Sequence, residues 1–254
     1  MTHPHRRILT LAVPLALATG SAFAFEPAGQ DVTYDVGDEA FEGYHAAAQG
    51  EARGSVLVIH DWDGLDDYER QRADMLAEQG YDAFAVDLYG QGNRPVETQA
   101  KKAATARLYD DRERMRRLTL ASLAEARARG AATPTVVMGY CFGGAVVLEL
   151  ARAGEAQDVA GYASFHGGLA TPEGQSYASD TAPILIAHGG ADQSISLEDV
   201  ATLGEELEAA NATYEIQIYS GAPHAFTVFG SDRYQQRADE KSWEAFHDLL
   251  DEVL

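Results

Sequence analysis

Short apolar runs that alternate with longer amphipathic stretches are the feature that most constrains the fold of this chain. Ser55–His60 is one such run, bounded by Gly54 and Asp61, and Ala83–Val86 and Thr135–Met138 follow the same pattern. Short apolar runs between turn residues are typical of strands that are buried on both faces of a sheet. Strands separated by helices predict a mostly parallel sheet that is covered by helices on both faces.

The rest of the chain continues this alternation. We predict further strands at Val32–Val36, Phe41–Ala47, Val159–Phe165, Pro183–Ala187 and Thr213–Tyr219, the first two as short edge strands. Predicted helices cover Asp66–Gln79, most of Val96–Arg129, Gly143–Ala153, Leu197–Asn211 and Ala238–Leu254. A chain of 254 residues is long enough for one well-buried domain and short for two, so we predict a single α/β domain over residues 25–254.

Residues 1–24 have the composition of a targeting segment. A positive stretch, His5–Arg7, precedes the apolar stretch Ile8–Ala18, and the small-residue pattern Ala22-Phe23-Ala24 follows. This order predicts a secretory signal peptide that is cut after Ala24. The apolar stretch is too short for a permanent membrane span, and no later segment is long and apolar enough. We therefore predict export, to the periplasm in a Gram-negative source, with an uncleaved tether as the alternative.

The composition also restricts the partners. The formal net charge of -21 repels nucleic acid and anionic membranes, so we predict neither as a partner. The histidines do not have the spacing of zinc ligands, and we predict no metal and no cofactor. Cys141 is the single cysteine and cannot form an internal disulfide. In an oxidising compartment such a thiol is either buried and inert, or its reactivity is useful.

The segment Gly139-Tyr140-Cys141-Phe142-Gly143-Gly144 connects a predicted strand to a predicted helix. A cysteine between flanking glycines at such a turn is typical of a nucleophile elbow, which projects the side chain above the sheet. The helix N-terminus favours a thiolate, and the backbone amide of Phe142 is placed to donate to an oxyanion. The motif alone fits a small core cysteine equally well. Its position between strand and helix favours a nucleophile.

Two further polar residues follow later predicted strands. Asp192 lies in a glycine-rich turn after Pro183–Ala187, and His224 lies in the loop after Thr213–Tyr219. Each alone fits an ordinary turn or surface loop. Because the carboxyl ends of parallel strands meet at one edge, we predict that both approach Cys141. Cys141 is the expected nucleophile and Asp192 the orienting carboxylate. His224 either takes the thiol proton as general base or holds the thiolate as an ion pair.

The loops at the same predicted edge contain other candidates. The backbone amide of Trp62 is our candidate for the second oxyanion donor. Asp61 is expected close to Cys141, where it would influence the protonation of the thiol; the alternative is a carboxylate that faces water. His166, after Val159–Phe165, either lines the pocket or is a structural histidine.

The chain resembles the dienelactone hydrolase (carboxymethylenebutenolidase-like) family of the α/β hydrolases. The resemblance covers most of the predicted mature chain and rests on four segments: Gly139–Gly144, Asp87-Leu88-Tyr89, Gly189–Asp192 and His224-Ala225-Phe226. It implies an α/β-hydrolase fold without a large lid, a small-molecule ester or lactone substrate, and the triad Cys141, His224 and Asp192. Family members usually carry a glutamate in the loop of Asp61, where it controls formation of the thiolate. The aspartate here is one carbon shorter.

Two departures from the family pattern concern the substrate. Dienelactone-active members carry two arginines that bind the substrate carboxylate, at positions where this chain has Gln91 and Val228. Without these charge-assisted contacts we expect an esterase or lactonase for neutral or weakly polar substrates, with Arg94 as a candidate substitute. The alternatives are a non-catalytic binding protein that keeps the fold, or a redox-sensing thiol protein. The intact triad argues against the first, and the absence of a resolving cysteine excludes an intramolecular version of the second.

Overall fold

A computed structural model describes residues 26–254, and these residues form an eight-stranded sheet. The strands are β1 (Gln30–Val36), β2 (Glu39–Ala46), β3 (Ser55–Ile59), β4 (Asp82–Val86), β5 (Thr135–Tyr140), β6 (Val159–Phe165), β7 (Ile184–Gly189) and β8 (Tyr214–Tyr219). Their order is β1-β2-β4-β3-β5-β6-β7-β8. The pairs β1–β2 and β2–β4 are antiparallel, and all others are parallel. The predicted signal peptide, residues 1–24, lies outside the described residues.

Helices cover both faces of this sheet. They are α1 (Asp67–Glu78), α2 (Thr98–Asp110), α3 (Arg112–Ala128), α4 (Phe142–Ala153), α5 (Leu197–Ala210) and α6 (Gln236–Val253). One apolar cluster lies between the sheet and α3, α4 and α5, and a second lies between the sheet and α1 and α6. Every residue of β3, β5 and β7 is buried, as the continuous apolar runs predict. The predicted architecture, a mostly parallel sheet between two helical layers, is confirmed.

Two local predictions differ from the structure. The strand predicted at Phe41–Ala47 is not an edge strand, because β2 pairs with β1 on one side and β4 on the other. The helical stretch predicted within Val96–Arg129 is two helices, α2 and α3, with a break at Asp111. Asp111 has non-helical backbone angles, and its carboxylate accepts a hydrogen bond from the Arg114 amide at 2.9 Å. It therefore caps the start of α3.

The topology brings five loops to one edge of the sheet. The carboxyl ends of β3, β5, β6, β7 and β8 lie together, because these five strands are parallel to one another. In the described part of the chain, no connection between consecutive strands of the sheet holds more than two helices, and no large lid covers this edge. Ligands in open α/β sheets bind at this edge. Across residues 26–254, no helix is both long and apolar enough to cross a membrane.

Candidate active site

Cys141 occupies a strained turn between β5 and α4. Its backbone angles are φ 49° and ψ -109°, in a region that non-glycine residues rarely adopt. Close packing requires the flanking glycines, because a Cβ on Gly143 would lie 2.3 Å from the Ile59 carbonyl oxygen and one on Gly139 would lie 2.4 Å from the backbone of Gly143. Strain of this kind concentrates at functional sites. The turn has the geometry of a nucleophile elbow.

A continuous hydrogen-bonded chain connects the three residues of the predicted triad. The Nε2 atom of His224 lies 3.1 Å from the sulfur of Cys141, and its Nδ1 atom lies 2.8 Å from Oδ2 of Asp192. The side chain of Asp192 is fully buried, and its other oxygen accepts hydrogen bonds from the amides of Ser194 and Ile195. These distances are those required between a nucleophile, a base and the group that orients the base.

The environment of Asp192 keeps this carboxylate ionised. Burial alone would raise its pKa, but the hydrogen bonds from His224 and the Ile195 amide outweigh burial and lower the pKa below its usual value. An ionised Asp192 accepts a hydrogen bond from Nδ1–H of His224 and so keeps the proton on that nitrogen. The Nε2 atom is then the unprotonated acceptor that faces the thiol.

The surroundings of Cys141 favour the protonated thiol over the thiolate. Burial and, to a smaller extent, the negative charge of Asp61 raise the pKa of Cys141 to about 12. The hydrogen bond from the Phe142 amide offsets only part of this increase. The sequence-based expectation that the helix N-terminus favours a thiolate is therefore outweighed by burial. A nucleophilic sulfur has to be generated by transferring its proton to a base, and His224 is within hydrogen-bond distance.

Asp61 lies in the same cavity as Cys141 and titrates near neutral pH. Burial, together with the charge of Asp63, raises the pKa of Asp61 to about 7. The neighbouring His60 fixes the backbone of this loop. Its Nε2 atom accepts from the Leu88 amide at 3.1 Å, so its Nδ1–H donates to the Asp61 carbonyl oxygen at 2.6 Å. His60 thus anchors the loop that carries Asp61 into the cavity of Cys141.

Replacement of Asp61 by asparagine is expected to make the Cys141 thiol more reactive. Removing a nearby negative charge lowers the thiol pKa, so more thiolate is present and alkylation by iodoacetamide at about pH 8 should be roughly threefold faster or more. Asp67→Asn is the control, because Asp67 is an exposed residue that contacts Arg70. Slower alkylation of the Asp61→Asn protein would mean instead that Asp61 removes the thiol proton.

Glu69 is a site residue that sequence reasoning missed. Its buried carboxyl group accepts hydrogen bonds from the backbone amides of Asp61 at 3.3 Å and Asp66 at 3.1 Å. Burial and the charges of Asp61 and Asp66 raise the pKa of Glu69 well above its usual value. The sequence signal was the capping box formed by Asp66 and Glu69 at the start of α1. Glu69 holds the loop that carries Asp61.

A cavity of about 420 Å³ opens beside the thiol and the imidazole. Its walls are mainly apolar and aromatic, and the ring of Tyr109 packs edge-on against Phe142 with 5.4 Å between ring centroids. Two exposed cations, Lys102 and Arg233, contribute to its rim. The other lining residues include Asp61, Trp62, Thr105, Ser194, Ile195 and Ala225. Trp62 thus lines the cavity beside Cys141.

Gln91 and Arg94 do not line this cavity. Gln91 is exposed, and its backbone amide donates to the Ala40 carbonyl oxygen at 2.9 Å. The guanidinium of Arg94 forms ion pairs with Glu42 at 3.0 Å and with Asp87 at 3.4 Å. It lines a separate surface hollow of about 510 Å³. Arg94 therefore does not take the place of a substrate-binding arginine in the catalytic cavity.

His166 also lies outside the cavity, behind the elbow. It is fully buried, and its Nδ1 atom accepts a hydrogen bond from the Cys141 amide at 3.2 Å. Its Nε2 atom lies 2.8 Å from the hydroxyl of Thr227. Of the two readings of His166 from sequence, a pocket residue or a structural one, the geometry agrees with the second. Val228 lies near Arg94 in the separate hollow.

The sequence model of the dienelactone hydrolase family matches residues 41–254. The chain belongs to the dienelactone hydrolase family. The match covers the elbow, both partners of Cys141 and the whole parallel part of the sheet. The resemblance inferred from four short segments is therefore confirmed over most of the chain.

Individual relatives agree with this assignment. A putative carboxymethylenebutenolidase of Escherichia coli K12 is 30% identical over 198 residues, which are 74% of this chain and 73% of that protein. A probable 2-oxo-3-(5-oxofuran-2-ylidene)propanoate lactonase of a Bradyrhizobium species is 28% identical over 197 residues, which are 74% of this chain and 79% of that protein.

A solved structure is similar over nearly the whole fold. A dienelactone hydrolase-like promiscuous phosphotriesterase from metagenomic libraries superposes with a TM-score of 0.80 at 27% identity, covering 89% of this chain and 98% of its own. Together, the family match and the relatives identify this member of the dienelactone hydrolase family as a carboxylic ester or lactone hydrolase with the α/β-hydrolase fold.

Proposed function

We propose that this protein is a thiol hydrolase that cleaves ester or lactone bonds through a thioester on Cys141. The observation that carries the proposal is the unbroken chain of contacts from the Cys141 sulfur through His224 to the buried carboxylate of Asp192, at 3.1 and 2.8 Å. This chain opens onto a cavity large enough for a small substrate. A nucleophile, a base and an orienting acid in this arrangement support acyl transfer.

The first half of the reaction forms the acyl-enzyme. The Cys141 sulfur attacks the carbonyl carbon while its proton passes to Nε2 of His224, and Asp192 stabilises the imidazolium. The carbonyl oxygen becomes an oxyanion that accepts from the backbone amides of Phe142 and Trp62. The carbon–oxygen bond then breaks, and the leaving alkoxide takes the proton from His224. With a lactone, the alkoxide stays attached to the acyl group as a hydroxyl.

The second half restores the enzyme. A water molecule gives a proton to Nε2 of His224 and attacks the thioester carbon. The same two amides stabilise the second oxyanion, which collapses as the carbon–sulfur bond breaks. The sulfur recovers its proton from His224, and the carboxylic acid leaves. The high pKa of Cys141 makes the resting state a thiol, which protects the single cysteine from oxidation between turnovers.

We further propose that the preferred substrates are neutral or weakly polar. Gln91 and Val228 lie at positions where related enzymes carry arginines. The guanidinium of Arg94 already forms ion pairs with Glu42 and Asp87. The cations that do reach the cavity, Lys102 and Arg233, are exposed at its rim, where water screens their charge. Mainly apolar walls favour an uncharged acyl group.

A matched pair of substrates tests both parts of the proposal. p-Nitrophenyl valerate and mono-p-nitrophenyl glutarate have acyl chains of the same length, but only the glutarate ends in a carboxylate. We expect hydrolysis of both, with kcat/KM about tenfold higher for the valerate, since the carboxylate loses water without gaining a buried cation. Preference for the glutarate would contradict the substrate class, and Lys102→Ala and Arg233→Ala would then identify the cation responsible. Absence of turnover on all esters and lactones would favour the non-catalytic alternative.

Export is also a proposal. It is supported by the positive stretch, the apolar stretch and the Ala22-Phe23-Ala24 pattern of the first residues. Cell fractionation and N-terminal sequencing of the protein expressed in a Gram-negative host test it. We expect periplasmic protein beginning at Phe25, whereas cytoplasmic protein that retains residues 1–24 would contradict the proposal.

A further inference from the structure

A chain of buried hydrogen bonds runs behind the nucleophile elbow, on the side away from the cavity. The Cys141 amide lies 3.2 Å from Nδ1 of His166, and Nε2 of His166 lies 2.8 Å from the hydroxyl oxygen of Thr227. The hydroxyl of Tyr68 donates to the same Thr227 oxygen at 2.7 Å. Both His166 and Thr227 are completely buried. The reaction proposed above uses neither of them.

The direction of each hydrogen bond is fixed from the two ends of the chain. The Cys141 amide can only donate, and it donates to the Phe165 carbonyl oxygen at 3.0 Å as well as to Nδ1 of His166 at 3.2 Å. Nδ1 of His166 therefore accepts, and Nε2–H donates to Thr227. At the other end, the Arg72 guanidinium can only donate, and it donates to the hydroxyl of Tyr68 and the carbonyl of Thr227. Tyr68 therefore gives its own hydrogen to Thr227. The hydroxyl oxygen of Thr227 thus accepts from both His166 and Tyr68. The tautomer of His166 is determined by the Cys141 amide, which requires an unprotonated Nδ1.

The charged and titratable groups around His166 agree with a neutral ring. Burial lowers the pKa of His166 well below its usual value, and a positive charge on His224 or His188 would lower it further, whereas the charge of Asp192 raises it. The ring of His166 lies edge-on to that of His224, with 5.3 Å between centroids. A neutral imidazole can accept at one nitrogen and donate at the other, as both contacts require.

Two strained residues belong to this series of hydrogen bonds, and a third lies next to it in sequence. Among residues 26–254, five non-glycine residues have positive φ, and three of them are Cys141 (49°), His166 (40°) and Ala225 (63°). Ala225 lies directly after His224 and shortly before Thr227. Such conformations persist only where surrounding contacts enforce them. The contacts from His166 to the Cys141 amide and to Thr227 span the elbow and the loop of the catalytic histidine.

We propose that His166 and Thr227 form a positioning bridge, which holds the elbow and the His224 loop in register so that the contact between Cys141 and His224 exists before substrate binds. This inference rests on the proposed function, because His166 and Thr227 would be positioning residues of the same site. Neither residue lines the cavity or touches the reacting atoms. Their effect on the reaction passes through the separation of sulfur and imidazole.

Variants of Thr227 in the full-length protein test the bridge. Thr227→Val keeps the shape of the side chain but removes the hydroxyl, and Thr227→Ser keeps the hydroxyl. We expect Thr227→Val to lower kcat by about 10- to 100-fold with KM changed less than about twofold, because a small displacement of a catalytic group has effects of this size. Thr227→Ser should restore kcat to within about threefold of wild type. The control is Tyr68→Phe, which removes the other donor to Thr227 and should leave kcat within about threefold of wild type.

A second readout needs no substrate. Because Cys141 is the single cysteine, the rate of alkylation by iodoacetamide reports on this thiol alone. At neutral pH, loss of the preformed contact with His224 should make alkylation of Thr227→Val about tenfold slower than alkylation of wild type or Thr227→Ser. This readout separates the two proposals: if wild type hydrolyses no ester, the proposed function fails, while the alkylation rates still decide on the bridge.

Three results would overturn the bridge. The first is a folded Thr227→Val protein with the wild-type kcat and the wild-type alkylation rate. The second is an equal loss in Tyr68→Phe, which would indicate a general packing effect.

If Thr227→Val does not fold, His166→Asn takes its place, since asparagine can accept from the Cys141 amide but is too short to reach Thr227. The third result is then an unchanged kcat and alkylation rate in His166→Asn.

Discussion

Replacing Cys141 by alanine is expected to abolish ester hydrolysis, lowering kcat by about 10⁴-fold or more. The elbow presents one nucleophilic side chain, and His224 and Asp192 have no attacking atom to activate once the sulfur is absent. Initial rates of p-nitrophenyl valerate hydrolysis, with the melting temperature as a check on folding, measure this loss. The fold should tolerate the change, because alanine is smaller than cysteine.

Serine at the same position is the matched control for this substitution. A hydroxyl at an elbow is a nucleophile in many α/β hydrolases, and His224 lies where it would accept the hydroxyl proton. We therefore expect Cys141→Ser to retain slow turnover, above that of Cys141→Ala and below that of wild type. A Cys141→Ala protein that hydrolyses esters at a rate close to wild type would show that another residue is the nucleophile.

The second large effect concerns the stability of the fold. Arg72→Met should lower the free energy of unfolding by about 3–5 kcal/mol, the typical loss when one partner of a buried ion pair is removed. The side chain of Arg72 is 1% exposed and pairs with the buried Asp239. Its guanidinium also lies 4.2 Å from the centre of the Phe229 ring and 4.8 Å from that of Trp243. Methionine fills similar space but leaves the Asp239 carboxylate without its cation.

Chemical denaturation with urea measures this loss, and the same helix provides a control. Arg70 pairs with Asp31 at 2.9 Å, but the Asp31 side chain is 68% exposed. Arg70→Met should therefore cost less than about 1 kcal/mol. The double variant Arg72→Met with Asp239→Leu should recover part of the loss, since both charges are then removed. Equal losses for Arg70→Met and Arg72→Met would contradict the role assigned to burial.

The fold could be predicted because its signals are local. The continuous apolar runs of β3, β4 and β5 predict strands buried on both faces, and the helices between them require parallel pairing. The meeting of Cys141, Asp192 and His224 could be predicted for the same reason, since each follows a strand and parallel strands end at one edge. The order along the chain was sufficient to bring together residues that are far apart in sequence.

Other features of the site depend on how deeply each side chain is buried, which sequence patterns do not reveal. The helix start at Phe142 suggested a thiolate, but burial decides the protonation of Cys141 and raises its pKa to about 12. Arg72 lies in a helix rich in charged residues and had no signal of burial, yet it is enclosed by aromatic rings. His166 follows its strand at the expected edge, but a left-handed backbone places it behind the elbow.

The cavity walls were the least predictable part. Tyr109 and Lys102 come from α2, a helix without a catalytic motif, and Arg233 comes from the segment before α6. Gln91 and Arg94 were selected by their distance from a family motif, but the local path of the chain takes them away from the cavity. The proposed triad lies on a framework that follows from sequence order, whereas the walls of the cavity depend on how α2 and the long loops pack.

The most direct test of a thioester on Cys141 is intact-protein mass spectrometry after rapid acid quench of the enzyme mixed with p-nitrophenyl valerate. Acid denatures the enzyme and stops turnover, so the covalent intermediate is preserved at its steady-state level. We predict a protein species whose mass is increased by one valeryl group, with the adduct on the peptide that contains Cys141 and sensitive to neutral hydroxylamine. Rapid turnover without any adduct, or an adduct on a residue other than Cys141, would contradict the account.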